Sequence, residues 1–133
     1  MALPKITRGQ IWMVDLTPQT FPAEPGKRER PCLVIQTDIL NEAGHPTTII
    51  IPGTTQVYRD QQVDGFPLRV PAGKLQKPGE KPKETDLLID QIRAISNDRF
   101  MGDAPIGDLS RQYIKRVEDA LKIVLGMGQF QNS

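Results

Sequence analysis

The sequence predicts a mainly β protein, a small barrel or sandwich carrying one C-terminal α-helix. Three observations lead there. Apolar runs are short and bounded by Pro, Gly or Asp, as strands of an all-β domain are punctuated. Two of them, Leu33-Val34-Ile35 and Ile49-Ile50-Ile51, are continuous and β-branched, which suits central strands covered on both faces. Helical spacing of apolar residues is confined to the segment after Ser110.

Taken in order, strands are expected over 10–16, 32–37, 47–51, 66–70 and 86–95, the last with room for a bend or for two strands. In the first, Trp12, Val14 and Leu16 alternate with Ile11, Met13 and Asp15, so Trp12 reads as a core residue rather than an exposed stacking platform. Asn41 to Pro46 has the composition of a turn, which makes His45 a solvated loop histidine. Ile114, Val117, Leu121, Val124 and Leu125 recur at helical spacing, with Ser110 suited to the N-cap and Gly126 to the C-terminal cap. Charged residues on the remaining faces predict an amphipathic helix packed on the β-domain, not a membrane or partner helix.

Three connections, 17–30, 55–65 and 71–85, are longer than compact domains usually keep unless they bind something. The first holds Pro18, Pro22, Pro25 and Gly26 and ends in Lys27-Arg28-Glu29-Arg30; the third carries Lys74, Lys77, Lys81 and Lys83 against Glu80 and Glu84. Both have the makings of loops that meet a polyanion, and equally of ordinary solvated loops.

The 133 residues amount to one domain, 1–126, with a loose tail over 127–133. Hydrophobic residues at 38% and charged residues at 25% are proportions that fold and stay dissolved. No run is long and apolar enough for a membrane span and Met1 to Gln10 lacks a secretory core, so no membrane is involved and a cytoplasmic location is expected. A net charge of +1 does not announce nucleic-acid binding, so any such site has to be local. The single Cys32 and single His45 supply neither an internal disulfide nor a zinc cluster, and no metal or other cofactor is expected.

Five blocks of residues resemble the MazF/PemK family of toxin endoribonucleases. They are Arg8-Gly9-Gln10-Ile11-Trp12-Met13-Val14-Asp15-Leu16-Thr17-Pro18, Arg30-Pro31 with the apolar strand behind it, Pro52-Gly53-Thr54-Thr55-Gln56, Leu87 to Ile95, and Gly107 to Ser110 with the terminal helix. The resemblance spans Arg8 to Gly126; the first loop is longer than the family's and 71–85 is extended. It implies an SH3-like barrel of the CcdB/PemK type, usually a homodimer, that cuts single-stranded RNA to leave a 2′,3′-cyclic phosphate and a 5′-hydroxyl and is neutralised by a cognate antitoxin. DNA binding by the toxin alone is not expected.

Arg30 and Thr54 match the family's catalytic pair. RNA brings its own nucleophile in the ribose 2′-hydroxyl, so positioned donors can carry much of the catalysis: a guanidinium offers planar bidentate donors to phosphate, a hydroxyl one short donor. Arg is a poor base, so Arg30 is assigned to charge stabilisation, and a base is sought in Glu24, near an acidic loop position of the family, or in Glu29. Lys27, Arg28, Thr55, Gln56, Gln91, Lys74 and Lys77 are the candidate RNA contacts. Two rival readings remain: a CcdB-like poison of DNA gyrase, whose Trp-Gly-Ile ending this chain lacks, and an inactive SH3-like binding module.

Overall fold

The computed structural model describes residues 5–19, 21–23, 29–56 and 68–128. Among these, the strands are β1 (Gln10–Val14), β2 (Arg30–Val34), β3 (Thr47–Thr54), β4 (Arg69–Leu75), β5 (Lys83–Leu88), β6 (Arg93–Ser96), β7 (Phe100–Met101) and β8 (Gly107–Asp108). The helices are α1 (Asp38–Glu42) and α2 (Arg111–Val124), and two 3-10 turns cover Ile89–Gln91 and Asn97–Arg99. The strands form one antiparallel sheet in the order β4-β5-β3-β2-β1-β7, with β6 on β3 and β8 on β1. It curls into the nearly closed barrel expected, with α2 as its C-terminal helix.

β3 is the hinge of this architecture. It pairs with β6 along Thr47 to Ile50, with β2 along Ile50 to Pro52, and with β5 at Gly53 and Thr54, so one strand serves both halves of the barrel. The central strands are buried on both faces, which is why their apolar runs are continuous. Ile11, Leu33, Ile51, Leu87 and Ile89 form one core, against which α2 lays Val117 and Ala120. Trp12, Val14, Cys32, Val34, Ile50 and Ile95 form the other, with Phe100 packed edge-on against Trp12 at 5.7 Å. Trp12 is 1% exposed and donates its indole N–H to Gln10 Oε1 at 2.9 Å, so it belongs to the core as read.

The helix ends as its residues dictate. Ser110 is the N-cap, although its hydroxyl makes no capping bond; its carbonyl accepts from the Tyr113 and Ile114 amides instead. At the other end Gly126 adopts φ +69°, its N–H donates to Ile123 O and the Met127 N–H to Lys122 O, a Schellman termination. Leu125 falls beyond the last turn and is exposed, not packed.

Some sequence expectations need correction. The segment 71–85 is not an open loop: Pro71 to Leu75 and Lys83 to Thr85 lie in the β4-β5 hairpin, with an irregularity between Pro71 and Gly73. The run 86–95 holds two strands parted by the Ile89–Gln91 turn, one of the two arrangements the sequence allowed. The expected turn over Asn41 to Pro46 begins inside a helical turn, α1, which takes in Asn41 and Glu42 and whose start is capped by Thr37; His45 is exposed beyond it. Most of 55–65, all of 24–28 and the tail from 129 lie outside the described residues.

Candidate active site

The candidate site is a row of side chains across three strands. The β2-β3 register places Cys32 opposite Pro52; carried two residues further, it sets Arg30 level with Thr54. β5 continues the row, since Thr54 is opposite Asp86, which is opposite Pro71 of β4. On the other side Val14 of β1 is opposite Arg30. Opposed residues share a face and hold their Cβ atoms about 4.5–5.5 Å apart, so Arg30, Thr54 and Asp86 stand side by side.

Gly53 makes this closeness possible. A Cβ there would meet Thr85 Cγ2 at 2.9 Å and the Pro31 carbonyl oxygen at 3.1 Å, so no side chain fits where β3 passes between β2 and β5. The Pro-Gly-Thr-Thr block thus has a packing reason. Pro52 and Gly53 are buried, Thr54 is 8% exposed at the strand end, and Thr55 and Gln56 emerge into solvent.

Arg30 is half-buried at the start of β2 and, among the described residues, no carboxylate pairs with it. The ordinary fate of a surface arginine, an ion pair with its neighbour Glu29, is therefore not what happens here. Burial lowers its pKa below the usual guanidinium value, because the cation has lost water, while Cys32 works the other way. Cys32 itself is fully buried, and desolvation pushes its thiol up to about 12 against the opposing pull of Arg30 and Arg93. A partly desolvated cation without a counter-charge is a strong attractor for an anionic oxygen.

Next in the row, Asp86 is 0% exposed and lies 4.0 Å from Arg69 Nη1. Arg69 also donates to the Gln56 carbonyl at 2.6 Å, and the Gln56 N–H donates to Thr54 Oγ1 at 3.2 Å. The turn after β3 is thereby tied to β4 and β5.

The structure brings together Arg30, Thr54, Thr55 and Gln56, and adds Lys77, whose Nζ donates to the Glu29 carbonyl at 3.3 Å. Beside Glu29 and Lys77 opens a pocket of about 480 Å³ lined also by Met13, Met101 and Ile106 among others; Arg30 and Thr54 do not line it. Lys74 stands apart on the hairpin, opposite Glu84 and exposed. Gln91 ends the 3-10 turn between β5 and β6 and is half-buried. Glu24, Lys27 and Arg28 lie outside the described residues. Arg69, Asp86 and Arg93 were not among the sequence candidates for this site; Arg93 lies in the Leu87 to Ile95 block without a role assigned, and strand pairing brings all three there. Among the described residues no three His, Cys, Asp or Glu side chains converge as a metal site would require, and no helix is long and apolar enough to cross a membrane.

Comparison with known proteins agrees with this architecture. Among solved structures the chain is similar to the Mycobacterium tuberculosis toxin MazF-mt6, with a TM-score of 0.64 at 16% identity over 90% of this chain and 99% of that one. It is similar to MazF from Deinococcus radiodurans, with a TM-score of 0.64 at 21% identity over 92% and 97%. A third similar structure is an endoribonuclease in complex with its cognate antitoxin from a mycobacterial species, with a TM-score of 0.61 at 18% identity over 94% and 97%. At such identities these likenesses speak for the fold. No curated protein matches the chain. A family profile, described as PemK-like, MazF-like toxin of type II toxin-antitoxin system, matches residues 7–125, nearly the whole chain, and the protein belongs to that family.

Proposed function

We propose that the protein is an endoribonuclease that cleaves single-stranded RNA by attack of a ribose 2′-hydroxyl on the adjacent phosphate, leaving a 2′,3′-cyclic phosphate and a 5′-hydroxyl. The observation that carries this reading is Arg30: a half-buried guanidinium, unpaired among the described residues, level with the Thr54 hydroxyl at the end of a buried strand. Charge builds on the phosphorane oxygens in the transition state. Donors already fixed there stabilise it without reorganising. Arg30 supplies two parallel N–H groups and Thr54 one O–H.

Proton transfer completes the scheme. Glu24 takes the 2′-hydroxyl proton, with Glu29 as the alternative, and Arg30, made more acidic by burial, helps protonate the departing 5′-oxygen. The pocket beside Glu29 and Lys77 is where a base splayed from the strand would rest, on Met13, Met101 and Ile106. Lys27, Arg28, Thr55, Gln56, Gln91, Lys74 and Lys77 are the RNA contacts in this scheme. No metal is required, two copies of the chain form the working groove, and a protein antitoxin silences the site by covering it. The family of the chain and the antitoxin complex among the similar structures support that last point.

The test is direct. Purified protein is incubated with a long single-stranded RNA in EDTA, and the ends are mapped. Discrete cuts with 5′-hydroxyl and cyclic-phosphate ends bear out the reading. An absolute need for Mg²⁺, or 5′-phosphate ends, would overturn the mechanism, and no cleavage at all would leave a binding toxin or an inert module.

A further inference from the structure

The geometry points to Arg69 and Asp86 as positioning residues that hold the turn after β3 so that the Thr54 hydroxyl faces the RNA as a donor. This rests on the reading of Thr54 as a catalytic donor. The chain of contacts is continuous. Asp86, wholly buried on β5, lies 4.0 Å from Arg69 Nη1; Arg69 grips the Gln56 carbonyl at 2.6 Å; and the Gln56 N–H donates to Thr54 Oγ1 at 3.2 Å.

A threonine hydroxyl has one proton and two acceptor lone pairs. Left alone in a turn, it donates to the nearest carbonyl and its oxygen faces outward. Here one lone pair already receives the Gln56 N–H, so the proton is directed away from that amide. Thr54 is 8% exposed, so little of its side chain meets solvent and the clamp leaves the proton free for a phosphate that reaches the strand end. The bond depends on the peptide plane of Gln56, and Gln56 is exposed beyond the strand end. Arg69 supplies the fixation from the next hairpin.

Burial of the partner supports this division of labour. A carboxylate removed entirely from water is costly and is kept mainly where it must hold a cation in place. Asp86 stands in the row beside Thr54, and the hairpin register carries Arg69 to the same face as Pro71, two residues on. Arg69 is thus held on the Thr54 side of β4 with its guanidinium spanning carboxylate and turn. Lysine, a point charge, cannot span both with the same geometry.

The experiment uses Arg69→Lys, which keeps a cation for Asp86 and so protects folding, alone and combined with Thr54→Ala. RNA cleavage is followed by single-turnover kinetics, and Gln56 amide exchange by NMR on the same proteins. Arg69→Lys should lower the cleavage rate about tenfold, the kinetic worth of one charge-assisted hydrogen bond, with RNA affinity little changed. In the Thr54→Ala background the same change should cost nothing further, because the clamp acts through the hydroxyl. Gln56 exchange should quicken in Arg69→Lys. Additive losses, or a loss confined to RNA affinity, would make Arg69 a direct phosphate contact and overturn the clamp. If the wild-type protein cuts no RNA, the proposed function fails while the clamp is still judged: unchanged Gln56 exchange in Arg69→Lys would sink it.

Discussion

The perturbation that tests most of this structure with one methyl group is Gly53→Ala. The added Cβ would sit 2.9 Å from Thr85 Cγ2 and 3.1 Å from the Pro31 carbonyl oxygen. Neither neighbour yields easily: Thr85 is 1% exposed and its hydroxyl donates to the Lys83 carbonyl at 3.1 Å, while Pro31 O is backbone of the strand that carries Arg30. Overpacking of this kind costs about 1–3 kcal/mol. In a domain of this size that lowers the melting temperature by roughly 3 to 6 °C per kcal/mol. The strain also spreads β2 from β3, so RNA cleavage should fall by more than the unfolded fraction explains. Urea unfolding, followed by Trp12 fluorescence, gives the stability term. Thr85→Ser removes the clashing methyl but keeps the hydroxyl, and should restore much of the stability in the double variant while leaving the contact with Pro31 O. A Gly53→Ala protein as stable as wild type, or one not improved by Thr85→Ser, would refute the packing argument.

Other outcomes follow from the same geometry. Arg30→Ala should abolish most cleavage while leaving the fold intact, and Thr54→Ala should cost on the order of 10²-fold, as removal of one transition-state donor does; normal turnover by folded Arg30→Ala protein would remove Arg30 from the mechanism. Cys32, buried and with its thiol pushed up to about 12, should resist iodoacetamide in the native protein at pH 8 and react only on unfolding, which mass spectrometry will register. Affinity for an uncleavable single-stranded RNA should fall with salt, with a log–log slope of about −0.7 for each phosphate contacted; a flat response would deny the cationic row its role.

The fold was legible where the sequence repeats one physical demand over several residues. Leu33-Val34-Ile35 and Ile49-Ile50-Ile51 predict central strands because those strands are covered on both faces; only Ile49 escapes, at 37% exposure near the start of β3. The hairpin over 71–85 was read as a loop because its strands carry Pro, Gly, Lys and Glu and bury few residues; its order comes from cross-strand pairing. Helix α1 has five residues, none buried, and so leaves no periodicity to find. At the site, Arg30 and Thr54 were readable as a pair only through the family resemblance, since Arg-Pro and Thr-Thr are otherwise ordinary. Asp86 and Arg69 left no such trace: a salt bridge between β4 and β5 is written in strand register, and register is not visible in one sequence.

Register also resolves the puzzle of the charge. A protein of net charge +1 gives a polyanion little long-range attraction. Yet strand pairing sets Arg30 in a row where Arg69 already has Asp86 at 4.0 Å and where Arg93 is close enough to act on the Cys32 thiol. Arg69 is offset by Asp86, while Arg30 and Arg93 have no carboxylate partner among the described residues, so the unmet charge gathers around Cys32. In the proposed function a phosphate diester would complete that partnership, and a carboxylate of an acidic antitoxin tail would do the same. On that proposal substrate and inhibitor would draw on the same unmet charge, and inhibition by occupancy would need no change in the shape of the barrel.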